Sequence, residues 1–126
     1  MPSQIISTPA APAAIGPYSQ AVLCGSTLYC SGQIGLVPET GALAAGLDAQ
    51  VRQAFSNLKA VIEAAGGSLA NVAKLTLFLA SMDDFARVND IMKEYFEAPF
   101  PARSCFAVAA LPKGALFEAE AVAYLG

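Results

Sequence analysis

With 126 residues, 56% of them hydrophobic and only 13% charged, the chain is sized for one domain and too apolar to remain disordered. Its net charge of −3, without a basic cluster, argues against broad nucleic-acid binding through phosphates. The absence of histidine excludes Ser-His-Asp and Cys-His triads, HExxH zinc sites and nuclease chemistry on paired imidazoles.

No apolar run approaches the ~18 residues of a membrane helix. Met1-Pro2-Ser3-Gln4 carries neither the basic patch nor the hydrophobic core of a secretion signal. The expectation is a soluble, cytoplasmic, single-domain protein with no membrane partner. Cys24, Cys30 and Cys105 are odd in number and form no CxxC, which fits reduced thiols. No GxGxxG or GxxxxGK signals a nucleotide cradle. With so few charges, much apolar surface would stay wet on a monomer, so burial between copies is expected.

Residues 1–14, rich in Pro, Ala, Ser and Thr, read as an extended arm. Gly16-Pro17 then fixes a turn and presents Tyr18, either a hydrogen-bond donor in a site or a rim aromatic. Residues 19–23 and 27–33 predict two strands around the turn Cys24-Gly25-Ser26. The second strand ends in Ser31-Gly32-Gln33, where Gly32 either admits a close neighbour or marks an ordinary bulge.

After a loop at 37–41, apolar residues recur at helical spacing from Leu47 to Ala65. They predict a helix of about five turns, stopped by Gly66-Gly67. Asp48, Arg52, Asn57, Lys59 and Glu63 read as its solvated face. Residues 72–79 alternate as a third strand. Ser81 stands as the cap of a second helix, with Asp84 in the capping-box position. Phe85, Val88, Met92, Tyr95 and Phe96 form its buried stripe. Asn89, beside that stripe, is either a site residue or a helix-to-sheet hydrogen bond.

Pro99-Phe100-Pro101 breaks this helix and leads into a strand. Arg103, Cys105 and Ala107 share one face of it, and Ser104, Phe106 and Val108 share the other, which reads as core. A guanidinium beside a thiol and little bulk has room to grip a carboxylate through two parallel hydrogen bonds. The plainer alternative is an arginine that snorkels to water or pairs with a structural acid. The last strand, 116–124, puts Glu118 and Glu120 on one face and Phe117, Ala119 and Ala121 on the other. Carboxylates in so apolar a strand need water or cations on their side. If residues 112–115 made a tight hairpin, Arg103 and Glu118 would stand roughly 20 Å apart. Joint action would then require a different pairing, or two subunits. The order β-β-α-β-α-β-β predicts an α+β domain with a single mixed sheet and two helices on one face.

Several of these stretches together resemble the Rid family, the YjgF-type reactive intermediate deaminases. They are Ile15-Gly16-Pro17-Tyr18-Ser19-Gln20-Ala21, Ser31-Gly32-Gln33, Pro38-Glu39-Thr40-Gly41, Phe85-Ala86-Arg87-Val88-Asn89, Pro101-Ala102-Arg103-Ser104-Cys105, and Leu111-Pro112-Lys113-Gly114 with Glu118-Ala119-Glu120-Ala121. The resemblance runs in order over nearly the whole chain, and the arginine marks the RidA-like branch.

It implies a chorismate-mutase-like fold and a homotrimer whose sheets pack into a central barrel, with clefts between neighbouring subunits. In that fold the last strand lies inside the sheet. The implied reaction is hydrolysis of 2-imino acids, formed from enamines such as 2-aminoacrylate, to 2-keto acids and ammonia. Pyridoxal-phosphate dehydratases supply the enamines, and neither metal nor organic cofactor is implied. Carried over by position, Arg103 would hold the substrate carboxylate, and Glu118 would activate water or relay a proton. Tyr18, Gly32, Asn89 and the Cys105 backbone would line the cleft. Phe106 and Phe117 depart from the pattern, being bulkier than the aliphatic residues usual there. Competing readings are a non-catalytic trimer that binds small ligands, a chaperone-like protein, and an endoribonuclease or translation inhibitor.

Overall fold

The computed structural model describes residues 3–126. Its strands form one six-stranded sheet in the order β1-β2-β3-β6-β4-β5. These are β1 (Gln4–Ile6), β2 (Ala21–Cys24), β3 (Thr27–Ile34), β4 (Val72–Leu79), β5 (Ala102–Ala107) and β6 (Phe117–Tyr124). Two helices, α1 (Leu47–Ala64) and α2 (Phe85–Met92), complete the mixed α+β fold. β4 and β5 run parallel, joined through α2, and every other pair is antiparallel. The last strand therefore does not fold back on β5. It inserts between β3 and β4, which removes the tight hairpin.

Alternation explains why β6 belongs in the middle. Phe117, Ala119, Ala121 and Ala123 all face inward and are buried. Three alanines leave space for α1 to lie close above β6, and Phe117 meets the ring of Phe55 at 5.3 Å. Leu75, Leu77 and Leu79 of β4 continue this face beneath Val88 and Ile91 of α2. α1 ends where glycine allows the chain to reverse. Gly66, at φ 92°, donates to Glu63 O, and the Gly67 amide reaches back to Ile62 O.

The structure corrects the sequence expectations at five places. The arm is not wholly irregular, because β1 pairs with β2 as the edge strand. α2 ends at Met92, and Tyr95 and Phe96 sit in a turn beyond it. Ser81 caps a short 3-10 turn, Met82–Asp84, and the Asp84 side chain makes no cap bond. Asn57 is not on a solvated face. It is 1% exposed, and its amide donates to Ile34 O at 3.2 Å and Leu36 O at 2.9 Å. The two faces of β5 are also exchanged. The Arg103 and Cys105 side lies under the helices, and Ser104 and Phe106 are exposed. Phe106 reads as core by composition, yet its face joins Tyr29 and Tyr124 on a sheet surface that no described element covers.

Asn57→Ala would leave two peptide carbonyls without their donor at the end of β3. We expect a loss of about 2 kcal/mol, measured as a lower urea midpoint at unchanged slope.

Candidate active site

β5 is the last strand of the sheet, so Arg103 stands at an edge, paired with Leu75 and facing α2. Phe85, Asn89 and Met92 recur at intervals of four and three residues, which places them along one face of α2. Arg103 Nη1 donates to Asn89 Oδ1 at 2.5 Å and approaches Met92 Sδ at 3.5 Å. The guanidinium carbon lies 5.4 Å from the centre of the Phe85 ring, within cation–π range. The ion pairs among the described residues are Arg52–Glu94 and Arg87–Asp48, both linking α1 to α2 or the turn behind it. No described carboxylate neutralises Arg103. Beside it opens a hollow of about 330 Å³, walled by Asn89, Met92, Lys93, Phe100 and Pro101. Asn89 thus makes a helix-to-sheet hydrogen bond and, in making it, orients the guanidinium.

Cys105 follows on the same face, paired with Leu77 and packed against the core. Burial pushes its thiol up, and the nearby Arg103 charge offsets this only in part. A thiol kept protonated is a poor nucleophile.

Glu118 occupies a separate cleft of about 740 Å³, bounded by residues 12–18, the end of β3 and the turn Pro112–Gly114. Tyr18 stands on its rim, 54% exposed, where its amide closes a three-residue turn onto Gly16 O at 2.9 Å. Gly32 sits at an irregularity in the β3–β6 ladder. A Cβ there would collide with the Glu118 carboxylate, falling 2.9 Å from its Cδ. The missing side chain at Gly32 is the space that Glu118 fills. Burial raises the proton affinity of Glu118, and the neighbouring Glu120 raises it further.

The predicted residues therefore form two groups: Arg103, Asn89 and Cys105 on one side, Tyr18, Gly32 and Glu118 on the other. The register shows why they do not meet. Phe78 of β4 pairs with both Phe106 and Glu118, so those residues share a face. Arg103, three residues before Phe106, points the opposite way. Within one chain, Arg103 and Glu118 lie on opposite faces of the sheet. Sequence reasoning missed Phe85 and Met92 as the cradle of the guanidinium. Their helical spacing with Asn89 was the available signal, but it was assigned to core. It also gave no role to Lys113, which lines the Glu118 cleft from a left-handed backbone position, φ 57°.

Fold and site define a class of single-sheet α+β proteins that present an unneutralised arginine and a half-buried carboxyl in two separate clefts. The chain belongs to the Rid family. The family model described as endoribonuclease L-PSP matches residues 8–125. A Bos taurus relative named 2-iminobutanoate/2-iminopropanoate deaminase is 51% identical over 124 residues, 98% of this chain and 90% of that one. The crystal structure of RidA from a Psychrobacter species is 50% identical, with a TM-score of 0.94 over 96% of this chain and 98% of its own. Escherichia coli TdcF with bound serine is 43% identical, with a TM-score of 0.94 over 98% and 99%.

Glu118 supplies a stability prediction. Its pKa is raised on folding, so the unfolded chain binds fewer protons between the unfolded and folded values. Stability contributed by the protonated carboxyl is full below that window and is lost as pH rises through it. Glu118→Gln should therefore melt higher than the parent at neutral pH and lose that advantage in acid. Equal melting temperatures at neutral pH would show that burial costs the carboxylate nothing.

Proposed function

We propose that this chain is a 2-iminobutanoate/2-iminopropanoate deaminase, an enzyme that hydrolyses reactive 2-imino acids to 2-keto acids and ammonia. The observation that carries the reading is Arg103, a cation with an oriented guanidinium, an adjoining hollow and no described carboxylate partner. The names of relatives about half identical over nearly their full length agree with it.

The working unit is a homotrimer whose uncovered sheet faces form a central barrel. Two observations support this. Tyr29, Phe106 and Tyr124 lie exposed on that face, and Arg103 and Glu118 cannot meet within one chain. The cleft between subunits joins one protomer's Arg103, Asn89 and Cys105 backbone to its neighbour's Tyr18, Gly32 and Glu118.

Arg103 holds the carboxylate of the imino acid in a bidentate grip, with Asn89 fixing the plane of the fork. The adjacent C=N, protonated on nitrogen, is already electrophilic. Water adds to its carbon as one water proton passes to Glu118, giving a carbinolamine. Glu118 returns that proton to nitrogen. The C–N bond then breaks, the nitrogen leaves with its electron pair as ammonia, and the hydroxyl proton departs as the keto group forms. A carboxyl with raised proton affinity suits both transfers. Orientation and modest acid–base help suffice, so the sequence needs no histidine. The reading calls on no cofactor and no metal. It assigns the protein to the cytoplasm, where the enamine 2-aminoacrylate would arise from pyridoxal-phosphate dehydratases.

A non-catalytic binding role is the second reading, since the TdcF neighbour was solved with serine bound. One assay separates the two. Added to a serine dehydratase reaction, the protein should speed keto-acid release, whereas a binding protein would not. Losing two charge-assisted hydrogen bonds should cost Arg103→Ala about a hundredfold in kcat/KM. Arg103→Lys should fall between, keeping the charge and losing the fork. Unchanged acceleration by Arg103→Ala would remove the assigned role.

The shared cleft has its own test. Arg103→Ala and Glu118→Gln chains, each inactive alone, should recover about a quarter of the wild-type sites in randomly mixed trimers. No recovery on mixing would show that the two residues do not act together in a cleft shared between subunits.

A further inference from the structure

The segment Thr8-Pro9-Ala10-Ala11-Pro12 must satisfy its carbonyls with few amide donors of its own, because proline has no N–H. One buried side chain supplies what is missing. Gln20 is 3% exposed. Its Nε2 donates to Pro12 O at 2.8 Å, Thr8 O at 3.1 Å and, more weakly, Ala11 O at 3.4 Å. Its Oε1 accepts the Thr8 amide at 2.7 Å. The segment so held continues into Ala13, Ile15 and Tyr18, which wall the cleft containing Glu118.

The same residue also touches the opposite wall. The Gln20 carbonyl accepts the Ser31 amide at 3.0 Å, and Ser31 Oγ donates to Ser19 O at 2.6 Å. Ser31 precedes Gly32, the glycine that makes room for the Glu118 carboxylate. Both walls of that cleft are therefore tied to one residue, the arm through its side-chain amide and the β3 wall through its main-chain carbonyl.

We propose that Gln20 is a positioning residue, clamping residues 8–18 over Glu118 and keeping bulk water from that carboxyl. The inference rests on the reading of Glu118 as the proton carrier. Burial is the larger cause of the raised proton affinity of Glu118, and Glu120 on the same strand is the smaller. Lys113 from the turn before β6 and Tyr18 from the clamped segment are the other titratable groups lining the cleft. β3 and β4 set Ile34 and Phe78 opposite Glu118, neither of them titratable. Releasing the clamp removes cover and leaves these charges in place, so Glu118 becomes easier to ionise.

Two variants release it in different ways. Gln20→Leu keeps the bulk and removes all four hydrogen bonds. Thr8→Pro removes the Thr8 amide that Gln20 Oε1 accepts, together with the Thr8 hydroxyl that accepts the Ala10 amide, and leaves the Gln20 side chain in place. The measurement is a carbon-13 carboxyl titration of the intact protein, with the Glu118 signal assigned through Glu118→Gln. The Glu118 midpoint should fall in both variants while the circular dichroism spectrum stays native. The acid limb of the kcat/KM profile should move to lower pH by the same amount, with kcat down roughly tenfold or more. A folded variant that titrates like wild type would overturn the clamp, leaving Gln20 a structural residue. If Gln20→Leu does not fold, Thr8→Pro alone decides. If the wild-type protein fails to speed imine decay, the deaminase reading falls while the titration still settles the clamp.

Discussion

The arrangement depends on a guanidinium held in place without being neutralised. Arg103 is fixed by Asn89 Oδ1, flanked by Met92 Sδ and faced by the Phe85 ring. None of these partners carries charge, so the cation is oriented while its attraction for an anion is kept. The two other helix-associated arginines show the contrast. Arg52 and Arg87 each form a bidentate pair with a carboxylate and have little left to offer a ligand. Those exposed pairs tie α1 to the α2 region, and with it the face that cradles Arg103. Each contributes little to stability by itself, but both act on the helix whose position matters most to the site.

Strand periodicity then dictates that Arg103 and Glu118 of one chain face opposite ways. Side chains alternate, so residues an odd number apart in one strand take opposite faces. The shared pairing of Phe106 and Glu118 with Phe78 fixes which face is which. Arg103 goes beneath the helices and Glu118 to the uncovered side. Moving β6 by one register would turn Phe117 and its inward alanines outward, so the side Glu118 takes is as firm as the core itself. An enzyme that needs both groups must therefore bring a second copy to its open face, and the exposed aromatics there supply apolar area for doing so.

Element type and order were readable because they depend on local pattern. The β4 bounds, the α1 span and the inward set Phe117, Ala119 and Ala121 follow from period alone. What escaped is what tertiary pairing decides. β1 is three residues long and exists because the edge of β2 accepts it. The faces of β5 were misread because Phe106 is large and apolar, whereas pairing with the outward Phe78 determines its side. Asn57 was read as surface because its helix position is polar, and only the fold brings the carbonyls of Ile34 and Leu36 to it. In the site, residue types suggested Arg103 and Glu118, but their placement on opposite faces depends on β6 entering the sheet between β3 and β4.

The Glu118 cleft follows the same logic in the opposite sense. Arg103 stands among neutral partners, and Glu118 is pushed toward the protonated form because it is half-buried and a second carboxylate lies near. Gly32 gives up its side chain so that the carboxylate fits, and Gln20 uses a buried amide to hold the wall above it. Each choice works against local stability: glycine within a strand, a polar amide in the core, an acid under cover. The amide is repaid by its hydrogen bonds, but nothing within one chain repays the acid. A cost that folding does not recover is what the proposed role of Glu118 as proton carrier would account for.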